Sequence, residues 1–351
     1  MHFQQKTFLL LKSACCLVAW TILGFSLFGP TVSLAQDAVY QKNSAPGAKP
    51  SKWTGQITDY TGRELKLQLS SGRERVIPAA AVEGIETTYA PAHLAADQLF
   101  AAGKFDQALA QYNTALRNEE KRNWVRRQIM AQQVWCYQEL GQTLFAVRTF
   151  QLLVQSDPET QFFDCIPLAW LPQELPVTLE REAQMWLESR ESALDVLIGL
   201  SWMMASNQRQ RAIARAEELA GHTDARIAWL ARAQLWRGQA TTADEPRLAD
   251  WRASLEKIPF PLRAGPTYLL GQELARRQQH DPASLLLLRV PIHYPNQRRL
   301  SARCLLTAAQ ALEKSQHPDE SITLYQEVLQ RYRDLPDATA EASGRLSSLA
   351  P

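Results

Sequence analysis

Residues that build chemical sites are scarce in this chain of 351, which has five cysteines, six histidines and fifteen glycines. The glycines form no phosphate-cradling loop, no dinucleotide fingerprint and no Gly-x-Ser-x-Gly elbow, which removes the common nucleotide-binding and serine-hydrolase signatures. The histidines, His2, His93, His222, His280, His293 and His317, are scattered, and His-Glu-x-x-His does not occur. Cys15 and Cys16 fall in an amino-terminal apolar run. The three others, Cys136, Cys165 and Cys304, are odd in number and widely spaced, which fits neither a disulfide framework nor a zinc-ligand set. Cys136 reads as a small core residue, and Cys165, in a loop-like stretch, is the one to test for pairing. An excess of one charge is also missing. With Lys6 and Lys12 of the apolar leader set aside from the 38 basic residues, 36 remain against 36 acidic ones, so nothing attracts nucleic acid in general.

The remaining chemical candidates are thin. Ser254-Leu255-Glu256-Lys257 has the Ser-x-x-Lys spacing of penicillin-interacting serine enzymes, but no Lys-Thr-Gly accompanies it. His280 beside Asp281 sits at a predicted helix boundary, where capping is the expected role. Arg209, Arg211, Arg215, Arg226 and Arg232 form a basic stretch interleaved with Glu217, Glu218 and Asp224, read as a solvated face or, alternatively, an anion site. Trp135, Trp186, Trp202 and Trp229 fall at apolar helical positions, as core residues do. Trp170 and Trp251 are undetermined. No catalytic, cofactor-binding or metal-binding residue is assigned, and no cofactor is expected.

Few glycines and long stretches of Ala, Leu, Gln, Glu and Arg favour helix, and four segments repeat a spaced pattern of small and aromatic residues. The first has Ala96, Leu99, Gly103, Phe105, Ala108, Tyr112 and Ala115. The second has Val134, Gly141, Ala146, Phe150, Leu153 and Pro158. The third has Leu270, Gly271, Leu274, Ala283, Leu287, Val290 and Pro295, and the fourth Ala309, Leu312, Ser321, Tyr325 and Val328. This pattern resembles the tetratricopeptide repeat, a helix-turn-helix unit whose small residues mark tight contacts between its two helices. Aligned on it, Gly103 and Gly141 take the turn, Ala108 and Ala146 open the second helix, Tyr112 and Phe150 follow as the aromatic, and Pro158 and Pro295 close the unit. Gln316 stands where the fourth turn glycine belongs. The resemblance implies a mostly α chain, an α-α solenoid of hairpins whose repeat-defining residues include Gly103, Ala108, Tyr112, Gly141, Ala146, Phe150, Pro158, Leu270, Gly271, Ala283, Pro295, Ala309 and Tyr325.

Residues 1–35 read as an export signal: Lys6 and Lys12 precede the apolar run Ala14 to Gly29, and Ser33-Leu34-Ala35 offers a cut before Gln36. That run has fewer than the roughly 20 residues that cross a bilayer, so cleavage is expected, with retention as an anchor the alternative. Residues 36–52 read as a flexible linker. Residues 53–88 read as a small β element of four strands, Trp53 to Tyr60, Glu64 to Leu69, Arg73 to Ile77 and Val82 to Thr87, similar to small SH3-like or Sm-like barrels. It is expected either to pack on the first repeat or to close on itself. Helical hairpins then occupy 89–158, a Pro-rich apolar connector 159–177, diverged hairpins 178–260, further hairpins 261–334, and a fraying tail 335–351. The connector, with Phe162, Phe163, Ile166, Leu168, Trp170 and Leu171, is expected to pack across the array or to join a binding surface.

The expectation for function follows from shape: a non-enzymatic scaffold of the periplasm or cell envelope whose concave groove holds a peptide or helix of another protein. The alternatives are a helical array ancillary to a cell-wall enzyme, and an adaptor anchored to the membrane by its own amino terminus.

Overall fold

Alternation in Leu65, Leu67 and Ile77, set against Lys66, Gln68 and Arg75, produces a small antiparallel sheet with one apolar face. The structure is a computed structural model that describes residues 36–43, 47–119, 121–239 and 243–349. The expected export signal lies outside the described residues. Strands β1 (Asp37–Gln41), β2 (Ser51–Tyr60), β3 (Glu64–Leu69), β4 (Glu74–Pro78) and β5 (Val82–Glu86) pair in the order β4-β3-β2-β1-β5, with a 3-10 turn at Ala79–Ala81 between β4 and β5. Two expectations are corrected here. The element has five strands rather than four, and the stretch expected as a flexible linker contains β1, which sits between β2 and β5. Ala38 and Val39 are buried, and the Asp37 carboxylate accepts the Ile57 amide at 2.8 Å. A strand of five residues flanked by a polar tract carries too little periodicity to stand out.

The rest of the chain is helical: α1 (Pro91–Ala101), α2 (Phe105–Asn118), α3 (Asn123–Glu139), α4 (Thr143–Ser156), α5 (Val177–Leu187), α6 (Ala193–Met203), α7 (Arg209–Leu219), α8 (Ala225–Gln239), α9 (Glu245–Lys257), α10 (Ala264–Arg276), α11 (His280–Leu287), α12 (Arg289–His293), α13 (Arg298–Lys314), α14 (Pro318–Arg331) and α15 (Pro336–Leu349). Successive helices pair, α1 with α2, α3 with α4, α5 with α6, α10 with α11 and α13 with α14. Four of these hairpins share one turn. Gly103, Gly141, Gln278 and Gln316 all have left-handed φ, between 63° and 72°. After each, an amide reaches back to the helix that has just ended: Lys104 to the Leu99 carbonyl, Gln142 to Tyr137, Gln279 to Leu274 and His317 to Leu312, at 2.8 to 3.0 Å. This is the helix-ending motif in which a left-handed residue lets the chain satisfy its last carbonyls and reverse.

Beyond the turn, Ala108, Ala146, Ala283 and Ser321 are fully or almost fully buried against the preceding helix, and Tyr112, Phe150, Leu287 and Tyr325 are fully buried four residues on. Ala309, Leu270 and Gly271 are buried as well. A Cβ on Gly271 would come 2.6 Å from Leu287 Cγ, so the α10–α11 contact requires the smallest residue there. Pro158 and Pro295 are exposed.

The sheet is too small to bury its own face. Val39, Ile57, Leu65, Leu67 and Ile77 share a core with Ala96, Phe105, Tyr112, Val125 and Ile129 of the first three helices. The β2–β3 turn is fastened further along: the Gly62 amide donates to Asp157 Oδ2 at 2.9 Å, Arg63 pairs with Glu159 at 2.8 Å, and the buried Arg127 guanidinium donates to Asp59 and to the Tyr60 carbonyl. At the other end, the expected fraying tail is instead α15. Ala342 is fully buried, Ala338, Leu346 and Leu349 pack beside it, and Arg303 pairs with Glu341 at 2.8 Å. The Asp, Ala, Ser and Gly content that suggests a tail conceals helical spacing at 338, 342, 346 and 349.

Candidate functional site

The Pro-rich connector borders both of the clefts described below. After a 3-10 turn at Phe163–Cys165, prolines 167, 172 and 176 hold it extended, and its backbone groups, having no ladder of their own, need side-chain partners. Trp202 Nε1 donates to the Pro167 carbonyl at 3.1 Å, and the Ala169 amide donates to Ser201 Oγ at 3.1 Å. The Ala169 carbonyl accepts from Arg237 Nη1 at 2.8 Å and Gln234 Nε2 at 3.3 Å. Arg237 also donates to the Ser201 carbonyl, so a buried cation is held by neutral oxygens, and burial lowers its pKa to about 10. Trp170 lies flat over Gly265, where a Cβ would come 2.1 Å from the ring. Of the two expectations for this segment, packing through the array is what Ile166 to Trp170 do. Leu171 to Pro176 border open space.

Two clefts adjoin it. The larger, about 800 Å³, is walled by α10, α13 and the start of α15, with Gln272, Arg276, Arg303, Thr307, Gln310 and Lys314 on its helical sides and Leu171 to Gln173 along one edge. The smaller, about 250 Å³, lies between the end of α3, the connector and the start of α13, with Trp135, Glu139, Glu174, Trp202 and Leu300 on its walls. Leu171, Gln173 and Arg299 border both. The seam between the two ends of the helical series runs here: Arg299 Nη2 donates to the Glu139 carbonyl at 2.9 Å. Glu139 is desolvated at this seam, which pushes its pKa up to about 7 in spite of Arg298 and Arg299 nearby.

Candidates raised by the sequence are distributed as follows. The arginines of the basic stretch are engaged at helix ends. Arg209 donates to the Gly238 carbonyl, Arg215 to Leu187 and Ser189, Arg226 to Pro158 and Arg232 to Ala220. Arg211 pairs with Glu188 at 2.8 Å. Guanidinium groups on terminal carbonyls complement the negative end of the helix dipole, so the anion-site alternative loses its donors. Cys165, proposed for pairing, is a buried free thiol, as are Cys136 and Cys304, and burial raises all three pKa values, that of Cys136 to about 12. Ser254 and Lys257 lie on α9 and border neither cleft. His280 opens α11 and borders the larger cleft, with a buried Nδ1 that has no hydrogen-bond partner. Trp135, Trp186 and Trp202 are buried, Trp229 is half-buried under Arg232, and the undetermined Trp170 and Trp251 are both core, Trp251 stacked on Trp236 at 5.1 Å.

Among the described residues no group of three or more His, Cys, Asp or Glu could hold a metal ion, and no helix is long and apolar enough to cross a membrane. Sequence reasoning missed Gln278 as a turn residue and Arg237 as the fastening of the connector. Two glutamines at equivalent spacing, Gln278 and Gln316, are the signal for the first; nothing local marks the second. No protein-family model matches the chain, and no curated protein matches it.

Proposed function

We propose that this protein is a non-enzymatic protein-binding scaffold, an α-α solenoid of tetratricopeptide-like hairpins that holds a peptide or helix of a partner in the larger cleft. The observation that carries this reading is the composition of that cleft. Its walls come from the first helices of two consecutive hairpins, α10 and α13, and present amide, hydroxyl and cationic side chains spaced along α13 at 303, 307, 310 and 314. Side chains at successive helical turns suit an extended chain or a helix laid alongside, which needs many weak polar contacts rather than one deep pocket. The shared turn at Gly103, Gly141, Gln278 and Gln316 supports the repeat reading. The five-strand order and the 3-10 turn at the Ile-Pro step support an SH3-like identity for the sheet. An exported protein of the periplasm or cell envelope remains the proposed setting, resting on residues 1–35 alone.

Affinity capture from an envelope fraction tests the proposal. The wild-type chain retains a defined protein, and Thr307→Arg, which fills the cleft from an accessible position, lowers its recovery at least about tenfold, the loss of roughly 1.4 kcal/mol. Recovery unchanged by Thr307→Arg, or no protein above background, rejects the groove.

A further inference from the structure

Glu139 ends α3, and the first turn of α13 lies against it across 160 positions of sequence. Arg298 Nε and Glu139 Oε2 face each other at 3.8 Å, beyond hydrogen-bonding distance, and each is buried with no other partner. The far side of the same guanidinium holds Asp334 at 2.5 Å, and the rings of Phe105 and Tyr332 lie 5.4 Å from its centre. One cation thus serves two carboxylates and is directed at the more exposed one. Glu139 Oε2 is left without a hydrogen bond in a desolvated seam, and this burial outweighs the pull of the Arg298 amide and of the Arg298 and Arg299 guanidinium groups, so the carboxylate gains by taking a proton.

We infer that this seam is a proton-operated clasp: it holds while Glu139 is neutral and yields when Glu139 ionises, widening the smaller cleft that it borders. The groups facing Glu139 are Arg298 and Arg299 from α13, Asp334 from the α14–α15 connection and Cys136 from its own helix, with Glu174 on the same small cleft. Cys136 stays neutral, since burial raises its pKa to about 12. The direction of the effect follows from linkage. Closed, Glu139 titrates at about 7; open and solvated it returns toward 4.5, so opening releases a proton. The closed form is favoured at low pH, and the ratio of open to closed rises as pH climbs between those values, by at most roughly 300-fold. This holds whatever the clefts bind.

Amide hydrogen exchange on the full chain, corrected for the intrinsic pH dependence of exchange, tests it. Between about pH 5 and pH 8, protection of residues 139–143 and 296–301 falls at least tenfold while that of α2 is unchanged. Glu139→Gln, neutral throughout, keeps the low-pH protection at both values. Asp334→Asn frees Arg298 to face Glu139 and moves the opening midpoint to lower pH. Equal corrected protection in the wild type at both values overturns the clasp. So does a Glu139→Gln chain that still responds, or an Asp334→Asn midpoint that stays in place or rises.

Discussion

Gln316 and Gln278 adopt a backbone conformation that a side chain disfavours by about 1 to 2 kcal/mol, whereas Gly103 and Gly141 meet the same requirement freely. Glycine loses more chain entropy on folding, so the net gain on exchange is smaller. Gln316→Gly and Gln278→Gly are each expected to raise stability by roughly 0.5 to 1 kcal/mol, read as a higher urea midpoint at unchanged slope. Gly141→Ala lowers it by about 1 kcal/mol. A Cβ there meets nothing within 4 Å, so the loss is one of backbone alone.

A second residue-scale prediction concerns His93, fully buried between Tyr89 and Tyr112 with both ring nitrogens unpartnered. Desolvation lowers its pKa below 6.5, although Asp97 and Glu119 pull the other way. The unfolded chain binds this proton more readily, so the stability that neutral His93 contributes is complete above about pH 6.5 and is lost as pH falls through the folded value. Glu139 slopes in the opposite sense: its contribution is complete below about 4.5 and lost as pH rises through about 7. Urea midpoints across pH 4 to 8 should lose their low-pH decline in His93→Gln and keep the neutral-range slope set by Glu139.

At the scale of elements, the connector shows what can be read from sequence and what cannot. Its apolar content, Phe163 through Leu171, marks it as unfit for water, and its prolines exclude helix; both facts are local. Its fastening is not local, because Ser201, Trp202, Gln234, Arg237 and Gly265 come from three helices whose own periodicity is already accounted for by core packing. The hairpins were legible for the same reason in reverse: each repeats short-range contacts four or so residues apart, which the alternation of Ala, Gly and aromatic residues records. β1 and α15 escaped because polar neighbours dilute a short pattern. The clefts escaped because their walls meet only in the folded chain. Gly265→Ala tests the fastening directly. The methyl displaces Trp170, at a cost of about 1 to 3 kcal/mol, and a rise in Trp emission wavelength accompanies a lower melting temperature.

On the whole-molecule scale, the sheet and the first three helices share one core. Residues 36–88 supply Val39, Ile57, Leu65, Leu67 and Ile77 to a core otherwise made by α1, α2 and α3, and removing them uncovers Phe105, Trp124 and Val125. A chain lacking residues 36–88 is expected to keep helical circular dichroism and to associate, seen as a rise in scattered light over the intact protein at equal concentration; a monodisperse monomer contradicts the shared core.

The contact between Glu139 and Arg299 also imposes an order on biosynthesis. Every hairpin can form as soon as its own few dozen residues leave the ribosome, but the pocket beside Trp135 has a wall at Asn296 to Leu300. Nearly half of the polypeptide must therefore emerge between the first wall and the last. Until then the cleft bordered by Trp135, Pro167 and Leu179 lacks its last wall.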